Sequence, residues 1–160
     1  MTRTSRHTRT AILLAAAALG LAACAMTDDG TETSSVNPPY PGVLLTGSLL
    51  PAGEVPGPGD PDGTGEFSGF FDQAGGKLCF DLGVGSLDRI TAQHIHAGAA
   101  QVAGPPVITL PTPDGTHSEG CIDVDRALIG QIIANPGNYY VNVHTTAYPQ
   151  GAIRSQLQRP

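Results

Sequence analysis

The chain has 160 residues, 21 of them glycine and 14 proline, with 14% charged side chains and a formal charge of −6. This is enough for one domain, turn-rich and β-rich in composition. It excludes a coiled coil, a large enzyme barrel and a basic nucleic-acid binder.

The chain opens with a positive leader, Arg3, Arg6 and Arg9, followed by an apolar run of ten residues, Ala11 to Gly20, too short to span a membrane as a mature helix. Next comes Leu21-Ala22-Ala23-Cys24, which resembles the lipobox of bacterial lipoproteins, in which the cysteine is lipidated and becomes the new N-terminus. The alternative is an ordinary secretory signal cut at a nearby alanine. Removal of residues 1–23 leaves 137 residues and takes away three of the eight basic side chains and no acidic one, so the formal charge moves from −6 to −9. Such a module is poorly suited to nucleic acid or to an anionic lipid surface. Its expected membrane contact is the lipid on Cys24. Residues 24–41, the lipidated cysteine and a polar stretch ending in prolines, read as a disordered tether, and 42–160 as the folded domain.

Within that domain the apolar periodicity predicts short strands over Val43–Leu49, Gly65–Phe71, Lys77–Val84, Thr91–Ala97, Pro106–Leu110, Gly120–Val124, Asn138–Thr145 and Ala152–Leu157, with a long Pro/Gly-rich loop from Pro51 to Gly65. One segment differs. Leu128, Ile129, Ile132 and Ile133 share one helical face, Asp125 suits an N-cap, and Asn135-Pro136-Gly137 is a stop signal. An amphipathic helix over about 125–135, lying across the end of the sandwich, is expected. The alternative is an extra strand, and Gly130 weakens the helix by about 1 kcal/mol. The fold class is therefore all-β, a β-sandwich with one short helix.

Two thiols remain after Cys24. Leu78, Phe80 and Leu82 share one face of their strand, which sets Cys79 on the other; Ile122 and Val124 likewise leave Cys121 opposite. A Cys79–Cys121 disulfide is expected for an exported chain, against two free thiols or metal ligands. The histidines obey the same parity. Ile95 points inward while His94 and His96 point outward, and Val141 and Val143 point inward while His144 shares the outer face with Tyr140 and Asn142. If the two strands are neighbours, three imidazoles converge, and imidazole suits copper and zinc. The competing reading is that the rings only hydrogen-bond their surroundings; no fourth ligand and no carboxylate placed to orient them is evident. His117, in a Gly- and Asp-rich stretch, reads as a loop residue. An ion pair between Glu54 and Arg154 is a further possibility. No catalytic motif is legible: there is no Gly-x-Ser-x-Gly elbow, phosphate-binding glycine loop or free catalytic cysteine.

His94-Ile95-His96-Ala97-Gly98, Gly104-Pro105-Pro106-Val107, Asn135-Pro136, Tyr139-Tyr140-Val141-Asn142-Val143-His144-Thr145 and Pro149-x-Gly151-x-Ile153-Arg154-x-Gln156-Leu157 occur in that order. Together with Leu49 and Ala52-Gly53-Glu54-Val55-Pro56, they resemble the CHRD domain, the module named after chordin. The resemblance covers about residues 42–158. Ser155, where the family usually has glycine, and Pro106, where a β-branched residue is common, depart from it. It implies an all-β, immunoglobulin-like antiparallel sandwich or barrel and no settled activity. The lipobox, the tether, the expected disulfide and the empty list of catalytic motifs make the expectation a lipid-anchored extracytoplasmic binding or surface module, non-enzymatic and with no assured cofactor, whose partner is an unknown protein or small ligand. A copper- or zinc-binding protein using His94, His96 and His144 is the alternative.

Overall fold

The computed structural model describes residues 40–160; the expected leader (1–23), Cys24 and nearly all of the tether lie outside them. Strands β1 (Val43–Leu49), β2 (Thr64–Asp72), β3 (Lys77–Gly85), β4 (Ile90–Ala97), β5 (Pro106–Leu110), β6 (His117–Asp123), β7 (Tyr139–Thr145) and β8 (Ile153–Gln156) pair antiparallel into two four-stranded sheets. Their orders are β1-β2-β3-β6 and β5-β4-β7-β8. Isolated bridges, Thr46 to Gln158 and Leu50 to Arg154, link the two sheets beside β1 and β8, but no closed barrel forms. The result is a sandwich.

Alternation along each strand supplies the core. Leu45, Leu49, Phe67, Phe71, Leu78, Phe80 and Leu82 from the first sheet meet Ile95, Ile108, Leu110, Val141, Val143 and Ile153 from the second. One polar link crosses this interior, the buried Ser118 hydroxyl donating to Gln93 Oε1 at 2.9 Å. Burying such side chains drives the two layers together at about 25 cal/mol per Å² of apolar surface.

The single helix, α1 (Arg126–Ala134), starts as its residues dictate: the Asp125 carboxylate accepts from the Leu128 amide at 2.9 Å. Ile129 and Ile132 are fully buried in the common core, with Leu128 and Ile133 packed at its margin. A Cβ at Gly130 would first meet the end of the exposed, flexible Gln73 side chain on the β2–β3 turn.

Cys79 and Cys121 stand directly opposite each other in the β3–β6 register and form a disulfide with Cα atoms 4.0 Å apart. Two expectations need correction. His117 is not in a loop: it is the first residue of β6, paired with Gly83, because the ladder with β3 extends three residues beyond the apolar stretch that marks the strand in sequence. Glu54 and Arg154 form no direct ion pair; the carboxylate is instead held by Asn142, and the guanidinium by Ala99 and Gln156.

A candidate metal centre on the covered face of the second sheet

The β4–β7 register places His96 opposite Tyr140, His94 opposite Asn142 and Ala92 opposite His144. All of these side chains except Ala92 are large and polar, and all project away from the core because Ile95, Val141 and Val143 project into it. The outer face of this sheet is nevertheless not open to water. His96 is 8%, Asn142 3% and Arg154 3% exposed, and Glu54, carried over the sheet by the segment after β1, is 7% exposed.

The three predicted imidazoles lie together. Ring centroids are 5.4 Å apart for His94–His96, 5.2 Å for His94–His144 and 6.0 Å for His96–His144. One nitrogen from each falls within 4.8 Å of the other two; binding one ion at about 2 Å from each would draw them closer still.

Backbone carbonyls orient two of the rings. His96 Nδ1 donates to Gly104 O at 2.9 Å, and His144 Nδ1 donates to Pro149 O at 3.1 Å. A carbonyl can only accept, so each Nδ1 carries the proton and each Nε2 carries a lone pair. Both Nε2 atoms are buried without a hydrogen-bond partner, and so is His94 Nδ1. An unpaired buried acceptor is costly, and three on one site are what a ligand set needs: metal-bound histidines tie the other ring nitrogen to a carbonyl or carboxylate. Burial pushes all three imidazoles below their ordinary value of 6.5, which keeps them neutral and able to ligate near neutral pH.

A second layer holds this arrangement. Tyr140 stacks on His96 with centroids 4.7 Å apart and planes 10° from parallel, and the Arg154 guanidinium carbon lies 3.4 Å from the Tyr140 ring centroid. The Tyr140 hydroxyl accepts from Gly104 N and donates to Gly104 O, the same carbonyl that fixes His96. Gly104 cannot be replaced without movement, since a Cβ there would lie 1.7 Å from Ala97 O. Asn142 Nδ2 donates to both Glu54 oxygens at 2.9 and 3.0 Å. Gly151, at φ +140°, leaves the space this carboxylate occupies, for a Cβ would come within 2.2 Å of it. Burial raises the Glu54 pKa from 4.5 to about 7, against the opposing pull of Asn142 and Arg154. Strand alternation already sets Tyr140 and Asn142 on the histidine face, whereas Gly104, Pro149 and Glu54 are functional neighbours it could not reveal. The signal for Gly104 and Pro149 was the Gly-Pro and Pro-x-Gly segments flanking β4 and β7.

Asp81, His117 and Glu119 form a second cluster, on the outer face of the first sheet, and all three are exposed. There His117 Nε2 meets Asp81 Oδ2 at 2.9 Å, and that hydrogen bond and charge raise its pKa. This is a solvated ion pair, with its nitrogen already engaged.

The profile of the CHRD domain family matches residues 45–157. No curated protein and no solved structure matches the chain. No helix among the described residues is long and apolar enough to cross a membrane.

Proposed function

The chain belongs to the CHRD domain family, a domain of extracellular type, and we propose that it is an exported, lipid-anchored module that works by binding, its ligand being a copper or zinc ion on His94, His96 and His144. The observation that carries this reading is the cluster of three imidazoles with ligand nitrogens within 4.8 Å of one another, each ring holding one buried, unpartnered nitrogen and two of the rings oriented by backbone carbonyls. The donor set contains no thiolate and no carboxylate, which suits copper and zinc, copper(II) being favoured by the general affinity order. The basic leader, the short apolar run and the residues before Cys24 support export and lipidation.

The test is metal analysis of untagged protein after exposure to micromolar copper or zinc. One ion per chain is expected, with loss in the His94→Ala/His144→Ala double variant. A wild-type protein that takes up no ion would overturn the reading. For the anchor, Cys24→Ser should move the protein from the membrane to the soluble fraction, and continued membrane association would contradict it.

A further inference from the structure

The three histidines are the whole of the strong donor set at this site among the described residues, whereas zinc and copper(II) take a fourth ligand. Asn142 occupies the sheet position that borders all three. It is directly opposite His94, two residues before His144 on the same face, and diagonal to His96. Glu54 settles how its amide points. Both carboxylate oxygens accept from Nδ2, which leaves Oδ1 unengaged by Glu54. That oxygen is buried and has no donor, on a side chain only 3% exposed. A neutral amide oxygen is a poor ligand for copper or zinc beside three imidazoles, but it accepts a hydrogen bond well from a water polarised by such an ion.

Resting on the metal reading above, we propose that the ion held by His94, His96 and His144 keeps an exchangeable fourth position, taken by a water molecule or a small anion, and that Asn142, fixed by Glu54, accepts a hydrogen bond from that water. The site would then resemble reactive metal centres, with three protein ligands and one replaceable one, rather than a closed structural centre. Asn142 is a positioning residue in this scheme and Glu54 is what positions it.

The experiment uses the copper(II)-loaded full chain and azide as the probe. Azide should produce a charge-transfer band that saturates at one azide per copper, and ¹⁷O-enriched water should broaden the copper electron paramagnetic resonance lines. Asn142→Leu should keep one copper per chain and bind azide about fivefold more tightly, because azide has no proton to give and the water it displaces has lost the equivalent of one neutral hydrogen bond. A loaded protein insensitive to both azide and ¹⁷O water has a closed site, which overturns this inference and leaves the metal reading standing. Failure to load copper or zinc removes both. Unchanged azide affinity in Asn142→Leu, or in Asn142→Ala should the leucine variant not fold, removes the role of Asn142.

Discussion

The outer faces of the two sheets present the same elements in different settings. Each face carries histidine beside carboxylate or amide groups placed by strand alternation. On the first sheet, Asp81, His117 and Glu119 stand exposed, and His117 is engaged by Asp81. On the second, segments that include Glu54, Gly104 and Pro149 cover the strands, and five polar atoms are left buried without partners: His94 Nδ1, His96 Nε2, His144 Nε2, Asn142 Oδ1 and Arg154 Nη1. The two settings move histidine in opposite directions, His117 upward through Asp81 and the other three downward through burial. A histidine cluster becomes a credible ligand set through what its ring nitrogens lack, and coverage by loops creates that lack.

The comparison can be broken in order of expected effect. The exposed face depends on the disulfide that crosses β3 and β6. Replacing Cys79 and Cys121 by alanine opens a 42-residue separation and should lower stability by about 4 kcal/mol in the chain-entropy model, read by denaturant unfolding. Reduction of the wild type should lower its melting temperature in the same direction. An unchanged melt would show that the bridge adds nothing.

The covered face depends on Gly104. Gly104→Ala forces the backbone away from Ala97 O and so disturbs both His96 and Tyr140. Metal affinity should fall about 10- to 100-fold, the usual effect of losing an orienting partner. Gly115→Ala, where a Cβ meets nothing within 4 Å, is the control and should bind metal as the wild type does.

The pH dependence of the metal-free protein has two opposed parts. The three imidazoles have folded pKa values below 6.5, so the unfolded chain takes up their protons first as pH falls below that value; stability should drop from there downward. Glu54 acts in reverse. Its folded pKa of about 7 lies above the ordinary 4.5, so the folded state holds the extra proton between those values and the stability this contributes is lost as pH rises through about 7. Glu54→Gln, neutral throughout, should therefore gain on the wild type in melting temperature between pH 5 and pH 8. A constant difference would show that Glu54 keeps an ordinary pKa. The smallest effect is expected from Asp81→Asn, which should return the His117 titration, followed by nuclear magnetic resonance, toward 6.5 with little change in melting temperature.

Much of this was legible in the residues. The parity of Leu78, Phe80 and Leu82 set Cys79 against Cys121, and that of Ile95, Val141 and Val143 gathered the histidines, because a period of two leaves little freedom once one face must be buried. Asp125 and the Ile129/Ile132 pair marked the helix in spite of Gly130. What stayed hidden lay in the irregular segments. No periodicity reveals that Gly104 O and Pro149 O aim the imidazoles, since backbone groups are common to every residue. Opposite charge suggested Arg154 as the partner of Glu54, whereas the fold delivered the neutral Asn142. His117 looked like loop because its neighbours are turn formers, but the pairing demand of β3 outweighed their preference.

Anomalous scattering at the copper and zinc edges, from crystals of untagged protein grown with the ion, tests the central claim most directly. The account predicts one peak bonded to His94 Nδ1, His96 Nε2 and His144 Nε2, with Gly104 O and Pro149 O still engaging the other nitrogens of the last two rings. A peak on Asp81 and His117 instead, or three imidazoles hydrogen-bonded to water with no ion between them, would contradict it.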